Sequence, residues 1–300
     1  MINKRAASRE PRFEIDRSLF PFESRFVSLK HGARIHYVDE GQGPVLLFLH
    51  GNPTWSFLYR NIIGNLRNAF RCVALDYPGF GQSTGPTSNG FTPAEHSRIV
   101  GEFVDRLELR DITIMVQDWG GPIGFDFAIR HPERVAGFVI GNTWAWPLER
   151  TGQRIFSAIM GGLVGRSITW GFNGATRFFM WRGVVTPLED GVRAMYLAPF
   201  HERSSRAVTH IAPRQLAAAE PFLASVYQSL TSLSNKPVLI VWGLDDFAFQ
   251  KPERTRFENI FPNHQTVLLQ NAGHFIQEDK PDEISAAIRN WYPRRVGARR

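Results

Sequence analysis

The stretch VQDWGG at positions 116–121 decides the fold of this chain. It follows an apolar run at 112–116 and precedes a helix-like run at 122–130, which predicts a strand, a sharp turn and a helix. Asp118 stands at the apex of the turn, where a nucleophile elbow usually carries serine. A carboxylate suits displacement at saturated carbon, because the resulting alkyl ester can then be hydrolysed. The turn therefore predicts a nucleophile, and an aspartate that merely caps the following helix is the alternative.

Strand-like runs alternate with helix-like segments over most of the chain. The third, fifth, sixth and seventh runs are nearly continuous in apolar residues, which is typical of strands buried on both faces of a parallel sheet. Strands that alternate with helices predict an α/β sheet with right-handed crossovers. The runs lie at 25–29, 35–39, 45–49, 71–75, 112–116, 135–140, 238–242 and 266–269.

The alternation breaks between Asn142 and Lys236, where the chain is rich in aromatic residues at helical spacing. This change predicts a helical cap inserted after the sixth strand. We expect most of its aromatic side chains to pack the cap, and one or two to line a pocket. The predicted division is a main domain at 13–145 and 218–292, the cap at 146–217, and flexible basic tails at 1–12 and 293–300.

The formal net charge of +7 comes entirely from the two tails, and residues 13–292 are formally neutral. A basic face for nucleic acid is therefore not expected on the body of the protein. The single cysteine, Cys72, cannot form an intramolecular disulfide and is predicted to lie in the core. The chain has no apolar leader and no apolar stretch of the roughly 20 residues that a membrane span needs. We expect a cytoplasmic location and no membrane partner.

His274 is the predicted base among nine histidines. It follows the last strand in NAGHF (271–275), and a strand end with a glycine-supported loop brings an imidazole above the carboxyl edge of the sheet. A surface-loop histidine is the alternative interpretation. The order of the chain favours the base, because a histidine after the last strand completes the order of nucleophile, acid and base.

The orienting acid should follow a strand between the nucleophile and the base. Two aspartates, Asp245 and Asp246, come after the seventh strand. Asp246 is preferred because it lies far enough past Gly243 for the loop to turn back, whereas Asp245 is interpreted as a solvated neighbour. After the sixth strand the corresponding position holds Asn142, which has no carboxylate.

An anion site is predicted from HGNP at 50–53, directly after the third strand. The backbone N–H groups of Asn52 and Trp119 are the candidate oxyanion hole. Their side chains add an amide and an indole N–H near the same point, a set of weak donors that suits a departing halide. The alternatives are a turn residue before proline for Asn52 and packing under the cap for Trp119.

These motifs resemble those of the haloalkane dehalogenases of the α/β-hydrolase superfamily. The resemblance implies a mostly parallel eight-stranded sheet, an Asp118–His274–Asp246 triad and a halide held between Asn52 and Trp119. It points to the branch that has the asparagine and the later acid. The matching segments are HGNPTWSFLYRNII (50–63), LDYPGFGQS (75–83), VQDWGGPIG (116–124), VIGNTW (139–144), VWGLDD (241–246) and NAGHFIQED (271–279). One departure is Gln117, which replaces the histidine usual before the nucleophile.

The implied reaction converts a small halogenated organic substrate to an alcohol, a halide ion and a proton through an aspartyl ester. No metal or organic cofactor is expected, since the chain contains no HExxH, CxxC or GxGxxG motif. Self-association through the aromatic cap is possible. The rival functions are an epoxide hydrolase, which would use two cap tyrosines such as Tyr196 and Tyr227, a luciferase-like oxygenase, and a ligand-binding receptor without turnover.

Overall fold

One eight-stranded sheet forms the centre of the protein in a computed structural model that describes residues 11–85 and 90–296. The strands are β1 (Arg25–Ser28), β2 (Arg34–Glu40), β3 (Val45–Leu49), β4 (Arg71–Leu75), β5 (Ile112–Asp118), β6 (Val135–Thr143), β7 (Val238–Gly243) and β8 (His264–Leu269). Their order in the sheet is β1-β2-β4-β3-β5-β6-β7-β8. The β1–β2 and β2–β4 pairs are antiparallel, and the other pairs are parallel. The predicted mostly parallel α/β fold is confirmed.

Helices cover both faces of the sheet. They are α1 (Arg60–Leu66), α2 (Pro93–Arg106), α3 (Gly120–Arg130), α4 (Thr151–Gly161), α5 (Leu163–Phe172), α6 (Gly174–Arg182), α7 (Asp190–Leu197), α8 (Ala207–Ala218), α9 (Glu220–Ser229), α10 (Lys251–Ile260), α11 (Ile276–Asp279) and α12 (Pro281–Arg295). A capping box of Thr92 and Glu95 fixes the start of α2. Within the described residues, no helix combines the length and the apolar character needed to cross a bilayer.

The apolar runs of the central strands explain why both faces of the central sheet are buried from solvent. Leu47 and Leu49 of β3 belong to a buried cluster that includes residues of α2 and α3. Leu46 and Phe48 belong to a second cluster with residues of α1 and α12. Cys72 lies in the second cluster and is fully buried, as expected for a core residue. This double burial makes the carboxyl ends of the strands a rigid platform.

Helices α4 to α8 all lie between β6 and β7. The next helix, α9, packs against α3 of the main domain. This arrangement agrees with a cap that is inserted after the sixth strand. The limits of that cap at positions 146 and 217 stay a prediction.

Both predicted flexible tails include residues that the structure holds in place. Arg12 donates from Nη1 to the carbonyl oxygens of Gly81 and Ser83 at 2.9 and 3.0 Å, and from Nη2 to that of Pro199 at 3.3 Å. At the other end, α12 continues to Arg295, and the buried side chain of Val296 packs against the core. The tails predicted at 1–12 and 293–300 are therefore too long, and their residues 1–10 and 297–300 lie outside the described residues.

Candidate active site

Asp118 is the last residue of β5 and has a left-handed backbone, with φ of 49°. Such a backbone is uncommon for a residue with a side chain and is found at strained functional turns. The turn fits because its neighbours are glycines. A Cβ on Gly51 would lie 2.3 Å from Asp118 Cβ, and one on Gly120 would lie 2.1 Å from the carbonyl oxygen of Leu49. The Asp118 carboxylate is 13% exposed and faces a cavity.

His274 lies between two carboxylates. Its Nδ1 is 3.1 Å from Asp246 Oδ2, and its Nε2 is 3.7 Å from Asp118 Oδ2. The first distance is a hydrogen bond, whereas the second is longer than a direct hydrogen bond. The imidazole is thus anchored on one side and faces the candidate nucleophile on the other. His274 and Asp118 both line the cavity.

Asp246 is 3% exposed and lies behind His274, away from the cavity lining. Its Oδ1 accepts from the backbone N–H of Ala248 at 2.7 Å, and its Oδ2 accepts from Asn142 Nδ2 at 3.0 Å. Asp245, the competing aspartate, is exposed. The burial and hydrogen bonds agree with the choice of Asp246 over Asp245.

Asn142 has a structural role that the sequence did not reveal. Its amide nitrogen donates to Asp246 and to the carbonyl oxygen of Gly243, and its amide oxygen accepts from the Gly243 N–H at 2.8 Å. The side chain therefore bridges the end of β6 to the loop that follows β7. The one feature of the sequence that could have indicated this role is the position of Asn142 at the end of the sixth strand.

Gln117 contacts the other side of the imidazole. Its Nε2 lies 3.1 Å from the carbonyl oxygen of His274 and 3.0 Å from His274 Nε2. A carbonyl oxygen only accepts hydrogen bonds, so the NH₂ group of Gln117 is the donor in both contacts. The imidazole Nε2 then carries a lone pair, and the proton on Nδ1 is donated to Asp246. This is the tautomer that a general base needs.

Electrostatics at the site differ from the expectation at one point. Backbone N–H groups at the start of a helix usually favour the ionised form of a nearby carboxyl group. Burial instead raises the pKa of Asp118, and it outweighs the opposing effects of His274 and of the Trp119 and Asn52 N–H groups. Burial alone would lower the pKa of His274, but attraction to Asp246, the hydrogen bond to it and the charge of Asp118 together raise that pKa.

Asn52 and Trp119 both border the cavity beside Asp118. The Asn52 N–H donates to Asp118 Oδ1 at 2.8 Å. The Asn52 side chain is 6% exposed, and its Oδ1 is buried without a partner among the described residues. Trp119 packs edge-on against Trp144, with ring centroids 4.7 Å apart. The structure thus brings together four of the five predicted site residues at the cavity wall, with Asp246 directly behind.

The cavity has a volume of about 770 Å³, and seven tryptophan and phenylalanine residues contribute to its wall. Three aromatic residues of the predicted cap line it, rather than one or two: Trp146, Phe156 and Phe179, and Trp144 lines it from just before the cap. The expectation was too low because α4 and α6 each turn a phenylalanine inward. Phe247 and Phe249 complete the wall from the loop that carries Asp246.

The two tyrosines considered for epoxide opening are not part of the cavity lining. Tyr196 is 1% exposed and donates to Glu278, which also pairs with Arg60. Tyr227 is 39% exposed, and its ring packs against Trp146. In the part of the chain that the structure describes, no group of three or more His, Cys, Asp or Glu side chains is arranged to hold a metal ion.

Known proteins resemble this chain in sequence and in fold. A family model described as the alpha/beta hydrolase fold matches residues 44–159 and 176–281. The chain is 45% identical to haloalkane dehalogenase 2 of Mycobacterium tuberculosis, over 92% of this chain and 97% of that protein. It is 34% identical to a haloalkane dehalogenase of Sphingobium indicum, over 89% and 95% of the two chains.

Two further similarities extend the comparison. The chain is 33% identical to a cis-3-alkyl-4-alkyloxetan-2-one decarboxylase of Shewanella oneidensis, over 91% of this chain and 89% of that protein. Among solved structures, the haloalkane dehalogenase DatA of Agrobacterium tumefaciens aligns with a TM-score of 0.81 and 26% identity, over 91% of this chain and 96% of that one.

Proposed function

Because the chain belongs to the haloalkane dehalogenases of the α/β-hydrolase fold, we propose that Asp118, His274 and Asp246 hydrolyse carbon–halogen bonds through an aspartyl ester. The supporting observation is the position of the Asp118 carboxylate, which faces an apolar cavity and lies 3.7 Å from a buried imidazole. The substrate is a small halogenated organic molecule. The overall reaction consumes one water and releases an alcohol, a halide ion and a proton.

In the first step, Asp118 Oδ2 attacks the carbon that carries the halogen, and the halide leaves with the bonding electrons. Oδ1 is the less suitable attacking atom, because it already accepts the Asn52 N–H at 2.8 Å. The Asn52 amide and the Trp119 indole stabilise the departing halide. Trp144 supports this arrangement, since its ring packs against that of Trp119.

In the second step, His274 Nε2 takes a proton from water, and the hydroxide attacks the ester carbon. Asp246 stabilises the imidazolium that forms. The negative charge develops on Asp118 Oδ1, where the Asn52 and Trp119 N–H groups form the oxyanion hole. Collapse of this intermediate breaks the bond between the acyl carbon and Oδ2, and the leaving alkoxide takes the proton from His274 and departs as the alcohol. The regenerated carboxyl group of Asp118 then loses its proton to water.

The test separates the two steps. His274→Phe should still release one equivalent of halide from a bromoalkane but should then stop, because the ester is not hydrolysed. Intact-protein mass spectrometry should detect an alkyl adduct, and peptide mapping should assign it to Asp118. Asp118→Ala is the control and should form no adduct. Full turnover in His274→Phe, or an adduct on another residue, would contradict the proposal.

The comparisons do not favour the epoxide hydrolase alternative or the oxygenase alternative. A second candidate is the opening of an oxetan-2-one, which the 33% identical decarboxylase and the cavity of about 770 Å³ support. There Asp118 would displace the ring oxygen from its sp³ carbon, leaving a substrate carboxylate. Loss of CO₂ would then form the alkene and release Asp118. If a dialkyl oxetan-2-one yields no alkene and no CO₂, this candidate is wrong.

A cytoplasmic location and self-association stay predictions from the sequence. Size-exclusion chromatography with light scattering measures the second of these directly. A mass equal to that of one chain at all concentrations would contradict self-association.

A further inference from the structure

The outer surface of the cap helices α4 to α6 is apolar. Leu163, Phe172 and Trp181 are 80%, 78% and 73% exposed. Such large side chains are rarely exposed together on a protein that works free in water. We call this surface the cap patch and define it by Ile159, Leu163, Val164, Ile168, Phe172 and Trp181.

The apolar character of α5 follows the helix geometry. Val164, Ile168 and Phe172 are spaced four residues apart, so they form one stripe on the outer side. Gly165 and Thr169 are the buried residues of this helix. The residues that contact the rest of the protein are therefore small, while the large apolar residues face outward. This distribution is the reverse of that of an ordinary surface helix.

The charged side chains of the segment 150–188, which contains the cap patch, all have one sign. Residues 150–188 contain five arginines and no lysine, aspartate or glutamate. Arg154, Arg166 and Arg177 are exposed on α4, α5 and α6. None of these three forms an ion pair with another described residue. Their described partners are neutral: Arg154 and Arg177 donate to backbone carbonyl oxygens, and Arg166 lies over a tryptophan ring. A surface that combines exposed large apolar side chains with arginines outside any ion pair has the composition of segments that bind membrane interfaces.

We propose that the cap patch docks on a lipid surface that contains anionic headgroups. The arginines would bind lipid phosphates, and Phe172, Leu163 and Trp181 would enter the apolar region below them. A symmetric contact with a second copy fits less well, because it would bring two sets of arginines together. The sequence argued against a membrane partner because no segment could span a bilayer, but docking on a surface does not require a span.

The cap patch and the cavity share the same helices. Phe156 of α4 and Phe179 of α6 line the cavity, whereas Ile159 and Trp181 of these helices are exposed on the outside. A docked cap would therefore hold one wall of the cavity against the lipid. If the proposed dehalogenation is correct, an apolar substrate dissolved in the bilayer would reach Asp118 along a short path. This consequence rests on the proposed function, whereas the docking itself does not.

The experiment measures co-sedimentation of the full chain with vesicles and uses no substrate. Vesicles of phosphatidylcholine alone are compared with vesicles that also contain phosphatidylglycerol. We expect several-fold more bound protein with the anionic vesicles, and a marked loss of binding when the salt is raised to about 1 M, where the Debye length falls to about 3 Å. The double variant Phe172→Ser/Trp181→Ser should lose most of the binding.

The matched control is Leu268→Ser on β8, an apolar side chain that is 45% exposed away from the cap. It should bind as the natural chain does. Both variants should keep the far-ultraviolet circular dichroism spectrum and the thermal unfolding midpoint of the natural chain, which shows that they are folded. Equal binding to neutral and anionic vesicles, or equal binding of the double variant and the control, would overturn the proposal. Self-association that the double variant abolishes, without vesicle binding by the natural chain, would assign the patch to a second copy instead.

Discussion

The Asn142 amide nitrogen lies 3.0 Å from Asp246 Oδ2, and its amide oxygen lies 2.8 Å from the Gly243 nitrogen. One side chain at the end of β6 therefore orients the carboxylate that anchors His274. It also satisfies a buried N–H of the neighbouring strand. Asn142 occupies the place after the sixth strand where the alternative acid would stand, and there it orients Asp246 by a hydrogen bond.

Asn142→Ala should lower kcat by about 10- to 100-fold, because a hydrogen bond to a charged group is worth about 1.5–3 kcal/mol. It should also destabilise the fold by about 1–3 kcal/mol, because the Gly243 N–H is left buried and unpaired. Steady-state halide release and chemical unfolding measure the two effects. Asn61→Ala, at an exposed position of α1, is the control. An unchanged kcat in Asn142→Ala would show that Asp246 needs no such support.

Asp246→Asn should reduce turnover by about 10⁴-fold, because an amide no longer stabilises the imidazolium and favours the wrong tautomer. Asp245→Asn changes the adjacent, exposed carboxylate and should leave turnover unchanged. The comparison uses the same halide-release assay for both variants. A larger loss in Asp245→Asn would assign the orienting acid to the other aspartate.

The raised pKa of His274 predicts how turnover depends on pH. A general base must be neutral, so turnover should rise with pH through a midpoint above the usual value of about 6.5. Asp118→Asn removes one of the charges that raise this pKa, so the imidazole of that variant should titrate at lower pH. The pH–rate profile of the natural chain and an NMR titration of the variant measure the two values.

The same shift affects stability. Since the folded-state pKa of His274 is raised, its contribution to stability is fully present below the unfolded value of about 6.5. It is lost as the pH rises through the folded value. His274→Gln should therefore flatten this part of the stability profile. If the turnover of the natural chain rose with pH through a midpoint below the pKa of a free histidine, the assignment of His274 as the base with a raised pKa would be contradicted.

Gly51→Ala should abolish turnover and destabilise the fold by about 1–3 kcal/mol, the usual cost of overpacking, or more. Its Cβ would lie 2.3 Å from Asp118 Cβ and Oδ1, so the nucleophile would have to move. Gly64→Ala in α1 is the matched control, since its Cβ would meet nothing within 4 Å. It should be neutral or slightly stabilising, because alanine favours a helix. Thermal unfolding and halide release, measured on both variants, distinguish a local clash from a general effect of alanine.

Much of the fold and of the candidate site could be predicted from the sequence. The strand-like runs located all eight strands. The signal was clearest for the third, fifth, sixth and seventh, because strands buried on both faces need continuous apolar residues. Asp118, Asp246 and His274 could be found because each ends a strand or closely follows one, and the carboxyl ends of parallel strands meet at one edge of the sheet. The short separation in sequence between each of these residues and the end of a strand was therefore the main basis for predicting the site.

Features that depend on packing between distant segments could not be predicted. Asn142 and Gly243 are 101 residues apart, and no local pattern connects them. The number of aromatic side chains in the cavity wall depends on how α4 and α6 rotate against the main domain. The direction of the Asp118 pKa depends on a balance between burial and donors, and a sequence shows the donors but not the extent of burial.

The contacts of Arg12 have a consequence for the recombination of related enzymes. Its guanidinium binds carbonyl oxygens of the main domain, at Gly81 and Ser83, and one of the segment between β6 and β7, at Pro199. A chimaera that exchanges this segment between homologues would therefore also have to keep an amino-terminal segment that contacts it as Arg12 does. Otherwise the Arg12 guanidinium would lose its acceptor on the exchanged segment.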